Sequence, residues 1–203
     1  MMNIIKDFIG KGRPNRIGKI INVKYITVHN TSNTAPGAGA LTHSKFVRLK
    51  GYNRIVNGEK KWVSWHFTVD DKHVIQQLPL NEHAIHAGAK ANNTSIGIEV
   101  CMNEGINQDK ADKKAALLIA ILCKKLKIDF SNIVNHKQWT GKNCPVLLLQ
   151  KWNEFKKEIQ MSNEKLNMSI TPIDFLEVDK EITDNEIQDL DFEMCSFEDH
   201  NTI

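Results

Sequence analysis

Apolar and polar positions along the chain fall into two rhythms, one of strands and one of helices. Residues 24–30 combine β-branched and aromatic side chains, end in His29 and Asn30, and predict a strand. Residues 31–39, with Pro36 and two glycines, predict a turn region, and residues 42–50 a short helix with Phe46, Val47 and Leu49 as its apolar positions. Residues 63–69 and 74–78 predict strands joined at Asp70-Asp71-Lys72, and Asn57-Gly58 is a further turn signal. Residues 95–102 predict another strand, in which Ile96, Ile98 and Val100 alternate with Gly97, Glu99 and Cys101. That period puts Glu99 on the face opposite the isoleucines.

Helical spacing governs the second half. Ala115, Leu118, Ile119 and Leu122 form one stripe of a helix that Asn107 or Asp109 can cap and that runs to about residue 127. Residues 146–159 predict another helix, with Pro145 at its start, where a missing N–H costs nothing. Residues 135–145 between the two read as a loop. The order of elements predicts an α/β (α+β) fold, a single mixed β-sheet flanked by helices.

Length and charge refine this picture. A chain of 203 residues with 41% hydrophobic and 25% charged residues has room for one self-sufficient core and an appendage. Residues 161–203 carry two basic and twelve acidic side chains; residues 1–160 carry 25 basic and 12 acidic. We therefore expect a domain over 1–160 and a short acidic C-terminal tail or small appended module over 161–203, partly disordered. The basic body suits an anionic partner such as a phosphate-rich wall polymer, although a solvated basic surface reads the same way. No nucleic-acid-binding motif accompanies the charge, so nucleic acid is not expected as a partner. No apolar run approaches the roughly 20 residues of a membrane span. The first ten residues lack a basic flank followed by a long apolar stretch, so no secretory signal is read.

Four cysteines, Cys101, Cys123, Cys144 and Cys195, are widely spaced and form no C-x-x-C pair. Cys101 and Cys123 read as buried thiols. His29, His136 and Cys144 are a candidate metal set: imidazole and thiolate suit zinc, and three protein ligands leave a position for water. By spacing alone the trio is no compact zinc signature. A lone histidine is commonly a surface residue, and a lone cysteine a small core hydrophobe.

Four stretches change that weighting. They are Tyr25-Ile26-Thr27-Val28-His29-Asn30-Thr31; Val63-Ser64-Trp65-His66-Phe67-Thr68-Val69-Asp70-Asp71; Ala84-Ile85-His86-Ala87-Gly88 followed by Asn92 or Asn93 and Ser95-Ile96-Gly97-Ile98-Glu99-Val100-Cys101; and His136-Lys137-Gln138-Trp139-Thr140-Gly141-Lys142-Asn143-Cys144-Pro145. In this order, over about residues 20–158, they resemble the type 2 N-acetylmuramoyl-L-alanine amidases, a superfamily shared with phage endolysins and peptidoglycan recognition proteins. The resemblance implies a mixed sheet with one zinc ion in a cleft on one face, held by His29, His136 and Cys144. It implies Glu99 as the catalytic carboxylate and Lys142 facing the reacting carbonyl. His66 and His86 are expected to orient ligands or contact substrate, or else to pack against backbone. Trp65 stands where many relatives carry tyrosine and is a further candidate for substrate contact. A proton-transfer role of that tyrosine does not carry over to an indole. His43, His73, His83 and His200 are expected at the surface.

The implied activity is zinc-dependent hydrolysis of the amide between N-acetylmuramic acid and L-alanine of peptidoglycan. A phage or prophage endolysin is the first expectation, made in the cytoplasm without a signal peptide and acting on the wall after holin-dependent release. A host autolysin or sporulation amidase reads similarly. A non-catalytic peptidoglycan-binding module is the other alternative; such members typically lack the cysteine ligand, which is present here.

Overall fold

The computed structural model describes residues 2–168 and 176–177. In chain order the elements are β1 (Met2–Asn3), β2 (Ile5–Lys6), β3 (Tyr25–Asn30), α1 (Ala40–Leu49), β4 (Tyr52–Val56), β5 (Glu59–Trp62), β6 (Phe67–Val69), β7 (Val74–Gln76), α2 (Gly88–Asn92), β8 (Ser95–Val100), α3 (Gln108–Leu126), a 3-10 turn (Phe130–Asn132), β9 (Ile133–Asn135), α4 (His136–Thr140), α5 (Val146–Leu149), α6 (Trp152–Met168) and β10 (Leu176–Glu177).

Six strands form the central sheet in the order β2-β7-β6-β8-β3-β9. Every neighbouring pair is parallel except β6 with β7, so the sheet is mixed, as expected. Its two faces differ in chemistry. Ile26, Val28, Phe67, Val69, Ile96, Ile98 and Val100 pack against α3 and α6 through residues such as Leu118, Ile119, Leu122, Phe155 and Ile159, making the main core. The opposite face carries Thr27, His29, Thr68, Ser95 and Glu99, all buried. Polar groups at such depth need partners or a bound ligand. A smaller apolar cluster of Ile9, Phe46, Val47, Trp65, Leu78 and Ala84 closes one flank of this polar face.

Some boundaries match the periodicity reading and others depart from it. Asn107 caps α3, accepting from the Lys110 N–H, and Lys127 ends it in the left-handed region with φ 55°. The helix expected over 146–159 is two helices, α5 and α6, and α6 continues through Met168, across the expected edge of the tail. Leu176–Glu177 pairs in parallel with β1. The rest of the acidic segment, with Cys195 and His200, lies outside the described residues. Asn57 and Gly58, both at positive φ, turn the β4–β5 hairpin as their sequence predicts. His43 is a correction: it is buried on α1 with its ring 6.5 Å from that of Trp65, because the first turns of that helix face the flank cluster. Burial draws its pKa down to about 4, which keeps it neutral. Cys101 and Cys123 are buried thiols, as expected.

Candidate metal centre and cleft

Three elements bring the candidate ligands together. His29 is the fifth residue of β3. His136 opens α4 directly after β9, the strand beside β3. Asn135 and Gln138 form a capping box there, which fixes the first turn and hence the direction of His136. Gly141, at φ 81°, ends the helix in a conformation that favours glycine. The chain then reverses until the Cys144 carbonyl accepts the Lys137 N–H at 3.0 Å. Residues 135–145, read as a loop, are thus a one-turn helix and a return. Asn30 holds the return in place: its Oδ1 accepts from Leu147 N at 3.0 Å, and its Nδ2 donates to the Val100 carbonyl at 3.1 Å.

The ligand atoms converge. His29 Nδ1 lies 3.1 Å from His136 Nδ1 and 3.7 Å from Cys144 Sγ. One atom from each of the three residues lies within 4.8 Å of the other two, and all three residues are buried. A tetrahedral zinc with ordinary bond lengths sets two nitrogens about 3.3 Å apart, and a nitrogen and a sulfur about 3.6 Å apart. The donor set and its spacing fit that ion. Three ligands leave the fourth position open toward a cleft whose walls include Thr31, Asn53, Trp65, Glu99 and Lys142. Among the described residues, Thr31 Oγ1, Asn53 Oδ1 and Glu99 Oε2 are buried polar atoms of these walls with no hydrogen-bond partner.

A family model described as N-acetylmuramoyl-L-alanine amidase matches residues 20–146. The chain belongs to this amidase family. The chain is 44% identical over 162 residues to the N-acetylmuramoyl-L-alanine amidase XlyA of Bacillus subtilis, covering 78% of this chain and 52% of XlyA. It is also 44% identical over 167 residues to CwlH of B. subtilis, an amidase of the same name, covering 80% of this chain and 63% of CwlH. The chain therefore spans between half and two thirds of these relatives. Among solved structures, the catalytic domain of XlyA matches with a TM-score of 0.70 at 45% identity, covering 78% of this chain and 99% of that one. The catalytic domain of PlyG matches with a TM-score of 0.68 at 29% identity, covering 80% and 96%.

Burial dominates the electrostatics of the cleft. It holds the His29 imidazole well below its ordinary range, helped by the neighbouring His86 and His136. It brings His136 to about 4, with Lys142 adding to the effect. Both rings are therefore neutral near pH 7, the form in which imidazole binds metal. Burial pushes the Cys144 thiol up to about 12 and the Glu99 carboxyl up to about 8, the latter opposed by the Lys142 charge. Glu99 Oε1 lies 3.9 Å from His29 Nδ1, yet this is no ion pair, because burial disfavours charge on both groups. A divalent cation held by His29, His136 and Cys144 would favour the charged forms of the thiol and of the nearby carboxyl alike.

The remaining expected residues are placed differently. Lys142 is exposed at the rim of the cleft. Trp65 lines the wall, but its indole N–H points to Thr68 Oγ1 at 2.7 Å. His66 is not among the residues that line the cleft and follows the second of its two expected readings, contact with backbone. Its Nδ1 accepts the Gly97 N–H at 3.1 Å and its Nε2 meets the Glu82 carbonyl at 2.9 Å, so it ties β8 to residue 82. His86 does sit beside a candidate ligand, with Nδ1 3.0 Å from His29 Nε2. Asn92 Oδ1 fixes that segment by accepting from the N–H groups of His86 and Ala87, each at 2.9 Å. The sequence reading missed Thr27, Ser95 and Trp139, which hydrogen-bond in a row under the site. Alternation along β3 and β8 does place Thr27 and Ser95 on the His29 and Glu99 face, but nothing in the spacing joins them to Trp139.

Proposed function

We propose that the chain hydrolyses the amide between N-acetylmuramic acid and L-alanine in bacterial peptidoglycan, with one zinc ion held by His29, His136 and Cys144. The observation that carries this reading is the convergence of two neutral imidazoles and a thiol beside a buried carboxyl at an open cleft. A zinc ion held by these residues would supply Lewis acidity and would lower the pKa of water from about 15.7 to about 7. Glu99 takes a proton from the attacking water and returns it to the leaving alanine nitrogen. Its buried setting keeps the carboxyl receptive to a proton. Lys142, at the rim, faces the negative charge that grows on the carbonyl oxygen. Thr31 and Asn53 offer the substrate the polar atoms that the protein leaves unpartnered.

A phage or prophage endolysin is the biological setting we favour. Similar solved chains are titled as endolysins, among them a mutant endolysin from B. subtilis at 46% identity and a TM-score of 0.71. A binding module without activity is the second reading, and the presence of Cys144 in the ligand set speaks against it. Mass spectrometry of peptidoglycan digested by the full chain tests the assignment. Free alanine amines on released stem peptides are expected. Peptidoglycan that is bound but keeps every stem–glycan link would establish the binding module instead.

A further inference from the structure

A directional chain of hydrogen bonds runs beneath the metal ligands. The Trp139 indole donates to Thr27 Oγ1 at 2.9 Å, Thr27 donates to Ser95 Oγ at 2.9 Å, and Ser95 donates to the Ala91 carbonyl at 2.9 Å. Its two ends cannot be reversed, because an indole only donates and a carbonyl only accepts. The single Ser95 proton is thereby committed to Ala91. What Ser95 Oγ presents to His86 Nε2, 3.4 Å away, is a lone pair.

The consequence passes through two rings. A neutral imidazole has one N–H and one bare nitrogen. His86 keeps its proton on Nε2, facing Ser95, and its bare Nδ1 faces His29 Nε2 at 3.0 Å. His29 must then carry its proton on Nε2 to donate across that contact. Its lone pair falls on Nδ1, the atom 3.1 Å from His136 Nδ1 and 3.7 Å from Cys144 Sγ. The chain leaves little slack: a Cβ at Gly97 would lie 2.9 Å from His86 Cγ, so only glycine lets the His86 ring lie this close to β8.

We propose that Trp139, Thr27, Ser95 and His86 are positioning residues that select the tautomer of His29 and so aim its lone pair at the metal position. None of the four needs to touch substrate. Trp139 lies three residues after the ligand His136 on α4, so the helix that supplies one ligand also sets the protonation of another. The effect on metal affinity rests on the zinc reading above; the tautomers are a property of the zinc-free protein as well.

Two measurements test this. Nitrogen-15 NMR of the zinc-free wild-type chain should show both His29 and His86 protonated at Nε2; a proton on Nδ1 of His29 overturns the proposal. Zinc titration against a chromogenic chelator should show His86→Leu binding about 10–100-fold more weakly than wild type, the usual effect of removing a partner of a metal-ligating histidine. His86→Asn, whose Oδ1 replaces the accepting Nδ1, should recover most of that loss. Thermal unfolding of the zinc-free variants compares their folds. Equal losses for Leu and Asn at equal zinc-free Tm, or a His86→Leu that binds as wild type, overturn the proposal. A wild-type chain that shows the expected tautomers but takes up no zinc upholds the hydrogen-bond chain and sinks the zinc reading alone.

Discussion

His29 and Glu99 are register partners on neighbouring parallel strands, and His29 Nδ1 lies 3.9 Å from Glu99 Oε1. Their meeting is a consequence of packing on the other side of the sheet. Ile26 and Val28 on β3 and Ile96, Ile98 and Val100 on β8 are buried in the main core. A slip of one residue would turn all of them toward the cleft. The apolar face therefore holds a candidate metal ligand and the carboxyl proposed for proton transfer level with each other.

Glu99→Gln keeps the shape of this pair and removes proton transfer. We expect kcat to fall about 10²–10⁴-fold while zinc affinity changes little, since Glu99 is not in the ligand set. Turnover measured beside zinc content on the same preparation checks this. Loss of zinc in step with loss of turnover would make Glu99 a ligand instead.

Lys142 is exposed, so water and salt weaken its field. Lys142→Gln should lower kcat by about 10²-fold, the lower end for removing a group that stabilises the developing oxyanion, with KM nearly unchanged. Steady-state kinetics decides the matter. A change confined to KM would assign Lys142 to substrate binding.

Gly97→Ala introduces a methyl group against the His86 ring, at 2.9 Å from its Cγ. Overpacking of this kind costs about 1–3 kcal/mol. Urea unfolding of the zinc-free protein should show that loss. The variant should also bind zinc more weakly, because the ring that must move supports His29. Wild-type stability together with wild-type zinc affinity would show that the ring position is unimportant.

Asp70 links two elements outside the site. Its carboxylate accepts the N–H of Ala40 at 2.8 Å, at the start of α1, and the N–H groups of Lys72 and His73 in the β6–β7 turn. Burial alone would raise its pKa, but these bonds and the His73 side chain outweigh burial and bring it from 3.8 to about 2. A carboxyl with a depressed folded-state pKa stabilises fully above its unfolded value near 3.8, and the contribution fades as pH falls through 2. The shift corresponds to about 2 kcal/mol. Urea unfolding between pH 5 and pH 2 should show wild type losing this increment relative to Asp70→Asn, whose curve is flatter. Parallel curves would contradict the assignment.

Much of this arrangement was legible in the sequence where long-range order follows from a simple period. The alternation in 95–102 placed Glu99 opposite the isoleucines, and Asn107, one of the two expected caps, starts α3. Short elements were not legible. β9 has three residues and α4 five, too few for a period to register, although Asn135 and Gln138 carry the spacing of a capping box. The break between α5 and α6 has no proline or glycine to announce it. His86 and His66 read alike in sequence, yet one meets His29 and the other ties backbone to backbone. Only the pairing of β6 and β8 around Gly97 separates them.

Zinc titration of the stripped chain, followed in one sample by metal content and by release of free alanine amines from peptidoglycan, tests the central claim most directly. The account predicts that cleavage is absent without metal and rises in step with zinc to a plateau at one equivalent per chain. Cleavage by the fully stripped chain, or one bound equivalent of zinc with every stem–glycan link intact, would contradict it.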